Sequence, residues 1–170
     1  MPKQNETVTV TFPSLPQTLA ELKSLPEASL DTPFKTAALT VAALCVYGTN
    51  PDECVNMLNF LRGPRPMSVH DVQFLKDRLQ EESYKPFSYF EGALPENDYK
   101  PNVPYQITVS SGPYTYINEG YAALNLRSGG ADALRSVTLR EKPSAGQWFL
   151  WESSGLLPGI RLPKSRDPWA

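Results

Sequence analysis

The chain has 170 residues, 41% apolar and 20% charged, with 18 acidic against 16 basic side chains and a formal charge of −2. That length buries a sizeable core and is expected to fold as one domain spanning 1–170. The balance excludes a disordered chain and gives no long-range field to gather nucleic acid or anionic lipid.

The first residues, MPKQNETVTVTF, lack the apolar centre of a secretory signal, and the longest apolar run, AALTVAALCVY, is too short to cross a bilayer. A cytoplasmic protein with no membrane attachment is the expectation. Val8, Val10 and Phe12 alternate with threonines, which fits one face of a strand or an extended arm. Beyond Pro13, Leu15, Leu19 and Leu22 have helical spacing, with Ser14 a candidate cap and Pro16 tolerated in a first turn. Residues 1–30 therefore read as an N-terminal arm or short helix.

Three longer helices follow. Asp31 or Thr32 can cap a helix over Phe34–Tyr47 that carries almost no polar residue and so must be buried on most sides, with Ala37, Ala38, Ala42 and Ala43 allowing close approach. Asn50 and Pro51 open a second, with Cys54, Met57, Leu58 and Leu61 on one stripe and Gly63, Pro64 and Pro66 ending it. Ser68 and Asp71 form a capping-box pattern at the start of a third, which should turn Val69, Val72, Leu75 and Leu79 inward. Cys45 and Cys54 read as reduced core residues, a disulfide between them remaining open if the two helices fold back on each other.

Residues 84–104 hold many aromatic, proline and glycine residues with no sustained period. They read as a structured loop whose Phe87, Tyr89 and Phe90 cover one end of the helical core. Alternation then returns at Tyr105–Ser110, at Tyr121–Arg127, around Val137–Leu139 and at Trp148–Trp151, separated by turn-forming segments. The fold class is α+β, three N-terminal helices packed on a C-terminal antiparallel sheet of about four strands. The tail, 153–170, is an extended arm whose Leu156, Leu157, Ile160, Leu162 and Trp169 should be tied down along the body or cross into a partner subunit.

Chemistry is sparse. His70, the sole histidine, falls in the first turn of the third helix with no dedicated acid partner. No nucleophile elbow, zinc-protease helix, phosphate loop or dinucleotide fingerprint occurs, and scattered carboxylates with two core-like cysteines do not make a metal site. No cofactor is expected. The sheet face bearing Tyr121, Asn125, Arg127, Arg140, Phe149 and Trp151 is the one patch with a recognisable capability: arginine beside aromatic rings can grip an anionic or peptide ligand. Ordinary cross-strand packing under the tail or a partner subunit explains the same alternation.

The segments LDTPFKTAALTVAALCVY, FSYFEGALPENDYKPNVPYQITV, GYAALNLRSGGADALRSVTLR and QWFLWE, with the GIRLP and DPWA tail, resemble a family of small proteins from Gram-positive, gut-associated bacteria. The resemblance implies a cytoplasmic bacterial protein of unassigned function and transfers no site residue. More loosely, the VTLREKPSAGQWFLWE hairpin resembles the closing strands of cystatin-like or nuclear-transport-factor-like folds, which would permit a pocket between sheet and helices. Three functional expectations stand: a non-enzymatic binding or protein-interaction domain with a protein or peptide partner, a structural subunit of a homo-oligomer, and a small-molecule enzyme.

Overall fold

In the computed structural model, which describes residues 5–170, the elements run β1 (Thr7–Phe12), α1 (Leu19–Lys23), α2 (Pro33–Leu44), α3 (Pro51–Arg62), α4 (Val69–Leu79), β2 (Tyr105–Ser110), β3 (Tyr121–Leu126), β4 (Arg135–Lys142) and β5 (Gln147–Glu152). The five strands form one antiparallel sheet in the order β1-β2-β3-β4-β5. It curls into a half-barrel, and α2 lies across it, touching all five strands.

α2 begins where Thr32, the cap, accepts a hydrogen bond from the Lys35 amide, and Pro33 occupies the first turn. Every residue of it but Lys35 is buried, including the four alanines that let strands approach. Two threonines share that interior: Thr36 donates to the Trp148 carbonyl at 2.7 Å and Thr40 to the Thr36 carbonyl at 2.8 Å, so neither hydroxyl is left unpaired. Leu44 is 2% exposed. Leu44→Ala is expected to cost about 3 kcal/mol, read as a Tm roughly 9 °C lower by circular dichroism.

The sheet has five strands rather than about four, because TVTVTF is a full member of it: β1 pairs with β2 from Thr7↔Ser110 to Phe12↔Tyr105. The inner face carries Val10, Phe12, Ile107, Val109, Leu124 and Leu139, all buried. β2 and β3 pair only at Val109↔Leu126 and Ser110↔Asn125. The 84–104 segment fills the gap beside them: Phe90 bridges Ile107, and the Glu91 amide donates to the Gln106 carbonyl at 2.8 Å. This segment does cover the helical core, through two 3₁₀ turns and the buried Tyr89, Phe90, Ala93 and Tyr99, but it also repairs the sheet.

Four expectations are corrected. α1 is capped by Thr18, not Ser14, and Pro16 lies before the helix, because only Thr18 precedes the helical turn with extended backbone and a free hydroxyl oxygen. α2 stops at Leu44 rather than running to Tyr47, and residues 45–49 form turns. Val69 and Val72 of α4 do not face inward: Val69 is 85% exposed, and only Leu75 and Leu79 are buried. Ser68 and Asp71 do form the expected capping box, and this local hydrogen bonding holds the first turn without needing burial. The tail packs on its own chain through Leu156, Leu157 and Ile160, but Leu162 is exposed and Trp169 is 92% exposed. Tail main-chain groups carry much of that contact, with Tyr89 donating to the Leu156 carbonyl, Tyr99 to the Arg161 carbonyl at 2.6 Å, and the Arg161 amide to Gly130 at 2.9 Å. Cys45 and Cys54 are both free and buried.

Candidate functional site

Trp151 occupies a break in the β4–β5 ladder. Leu139 pairs with Leu150 and Thr138 with Glu152, so Trp151 is the extra residue of a bulge. A bulge leaves the extra residue unpaired and re-aims its side chain. The indole meets Tyr121 edge-to-face, ring centres 5.5 Å apart, on the sheet face away from α2.

Two arginines stack on this ring. Arg65 lies 4.0 Å and Arg140 4.7 Å from its centre, which places the two guanidinium carbons within 8.7 Å (4.0 plus 4.7) of each other. Arg140 also lies 5.4 Å from the Tyr121 ring. The freed Trp151 carbonyl accepts a hydrogen bond from Arg65. Arg65 comes from the α3–α4 connection, which reaches round the β5 edge to the outer face. Gly63 makes that passage feasible: its φ is +59°, and a Cβ there would stand 2.5 Å from the Phe149 ring. Arg62 then braces the loop, donating to the Arg65 carbonyl at 2.9 Å and pairing with Asp71 at 3.2 Å.

The local charge is positive on a chain of net negative charge. Arg62, Arg65, Arg140 and Lys142 line a groove of about 400 Å³ floored by Phe149 and Trp151, with Glu141 the one acid in its lining. Arg62 has Asp71, whose carboxyl is held below its ordinary range by hydrogen bonds from Ser68 and by Arg62 itself. Burial pushes Glu152 up, yet hydrogen bonds from Ser154 and Ser153 and the charge of Arg65 outweigh it and hold that carboxyl low. Among the described residues neither Arg140 nor Lys142 has a carboxylate partner. Trp151 also lines two adjoining hollows, one of about 100 Å³ against Met67 and Phe74 and one of about 430 Å³ against the exposed Tyr114 and Ile117.

The six residues of the expected face thus separate. Tyr121, Arg140, Phe149 and Trp151 come together. Asn125 pairs with Ser136 whereas Tyr121 pairs with Arg140, a displacement of about 13 Å along the strand at its usual rise. Asn125 and Arg127 instead line a hollow of about 490 Å³ with Gln106, Thr108 and Leu94. Arg65, Arg62 and Lys142 were missing from that face. The only sequence signal for the first two was a pair of arginines in a helix stop, RGPRP, which the turn residues explain without them.

Among the described residues no three His, Cys, Asp or Glu side chains converge as a metal site, and no helix is long and apolar enough to cross a membrane. His70 is exposed. Burial raises the phenol of Tyr99 to about 12 and also raises that of Tyr89, and both donate to tail carbonyls.

Fold and site together define a small α+β half-barrel with a cationic, aromatic-floored groove at one end of its outer face. Residues 14–164 match the family described as "Domain of unknown function (DUF6935)", and the chain belongs to that family. No curated protein matches the chain, and no solved structure matches it.

Proposed function

We propose that this protein is a non-enzymatic binding domain whose arginine–aromatic face takes an acidic, extended segment of a protein or peptide partner. The observation that carries the reading is Trp151, flanked by Arg65 and Arg140 and opening onto an apolar groove where, among the described residues, Arg140 and Lys142 lack carboxylate partners. A guanidinium stacked on a ring keeps its N–H edge available for a carboxylate, while the ring takes apolar side chains of the same ligand. Tyr89, Tyr99, Cys45 and Cys54, whose pKa burial raises, are occupied in packing and lie outside the lining of the groove. The same proposal places the fold among cystatin-like or nuclear-transport-factor-like half-barrels, on its helices packed against a curled sheet. It places the protein in the cytoplasm of a Gram-positive, gut-associated bacterium, on the sequence resemblance.

A glutamate-rich peptide carrying a few phenylalanines is the test ligand, followed by calorimetry at low and at physiological salt. Trp151→Ala is expected to weaken binding about 30-fold and Arg140→Ala about tenfold, as truncated interface anchors do. Arg140 is exposed, so its loss should leave the melting temperature within a degree or two. Equal binding by wild type and both variants, or none by wild type at low salt, would sink the proposal.

A further inference from the structure

The two edges of the sheet are treated differently. At β5 three of the outward main-chain groups are met: the Trp148 amide donates to the Leu30 carbonyl at 2.8 Å, the Trp148 carbonyl accepts from Thr36, and the Trp151 carbonyl accepts from Arg65. At β1 they are not. The Ser111 amide donates to the Glu6 carbonyl at 2.8 Å, so the residues directed at β2 are Glu6, Val8, Val10 and Phe12 by the alternation of an antiparallel ladder. Thr7, Thr9 and Thr11 therefore direct their amides and carbonyls away from the sheet. All three are exposed, and none of those groups has a partner among the described residues.

Native sheets blunt open edges with charge, proline or a bulge. Thr7–Phe12 contains no charge, no proline and no register shift. It does have an internal symmetry, since Thr7-Val8-Thr9-Val10-Thr11 reads the same in both directions. In an antiparallel pair with its own copy, Thr9 would face Thr9, Thr7 would face Thr11, and Val8 would face Val10. The outward groups of Thr7, Thr9 and Thr11 are then in phase to bond one another. No like charges meet, and threonine–threonine pairs already suit this strand, since Thr9 and Thr108 share a hydrogen bond at 3.0 Å on the other side. Half-buried Val8 would gain cover from the partner's core-facing side.

We propose that the β1 edge is a self-pairing surface, on which a second copy of this chain adds its own β1 about a two-fold axis through Thr9. The assembly closes at two, giving one ten-stranded sheet, because the two-fold contact uses the one β1 edge of each copy, while Leu30, Thr36 and Arg65 obstruct the β5 edge. The contact is small, so association is concentration-dependent.

Sedimentation equilibrium from micromolar to millimolar protein tests this, with hydrogen exchange at the three threonine amides. The expected result is a mass that doubles with concentration and amides of Thr7, Thr9 and Thr11 that slow as it does. Thr9→Pro removes an N–H that the monomer's sheet does not use, and Thr9→Lys sets two like charges on the axis; both are expected to stay monomeric while keeping the wild-type circular dichroism. If Thr9→Pro fails to fold, Thr9→Lys decides alone, because its side chain points to solvent. A wild-type mass that stays monomeric throughout overturns the proposal. So does a folded Thr9→Lys that still dimerises, or a dimer lost with Arg140→Ala and not with the Thr9 variants, which would put the contact on the groove face.

Discussion

Gly129→Ala is expected to lower stability by about 3 kcal/mol, a Tm loss near 9 °C, with a cooperative transition retained. A Cβ at this position would stand 2.0 Å from the Ala93 carbonyl oxygen, a main-chain atom that cannot rotate aside. The clash falls on a crossing already drawn tight by hydrogen bonds. The Gly129 amide donates to the Ser88 carbonyl at 2.7 Å, the buried hydroxyls of Ser128 and Ser88 meet at 2.6 Å, and the Gly130 amide donates to Ser128 Oγ at 3.0 Å. Relieving the overlap means opening that network and separating the 84–104 segment from the β3–β4 turn. Gly155→Ala is the matched control, since its nearest neighbour would be the Ser136 oxygen at an ordinary 3.5 Å, and its effect should stay within about 0.5 kcal/mol. Indistinguishable urea midpoints for Gly129→Ala and Gly155→Ala would show that the crossing is not tight.

Phe12→Ala is expected to cost about 4 kcal/mol, in the range for a fully buried aromatic truncated in place. Phe12 is 0% exposed, and its ring meets Phe90 edge-to-face at 6.4 Å, which in turn meets Tyr105 at 6.0 Å. The substitution therefore empties the junction of β1, β2 and the 84–104 segment together. Thr11→Ala, one residue away and exposed, should change stability by less than about 0.5 kcal/mol. If Phe12→Ala proved equally mild, β1 would be a loosely docked arm, and the matched family region, which begins at residue 14, would carry the stability alone.

Period and capping chemistry were legible residue by residue. The unbroken apolar run of α2 required burial on nearly every side, the Ser68–Asp71 pair marked the start of α4, and alternation assigned Trp148 and Leu150 to the core and Phe149 to the other face. What failed was inference across distance. Val69 and Val72 have helical spacing with Leu75, but spacing says which side of a helix they share and not how far a neighbour extends along it. TVTVTF announces a strand and names no partner for it.

The groove shows the same division. Alternation could place Tyr121, Arg140 and Phe149 on one face, because those positions follow from local backbone geometry. It also grouped Asn125 and Arg127 with them, because a face has no length limit in a pattern of period two. Arg65 joins Trp151 only because Gly63 lets a loop turn against Phe149 and a bulge in β5 turns one carbonyl outward. Interactions within a few residues of one another thus set the elements, their buried sides and most of the aromatic floor, and these could be read from residue order. Tertiary structure alone decided which cations stand over that floor and which sheet edge stays open, since both depend on contacts between segments far apart in the chain.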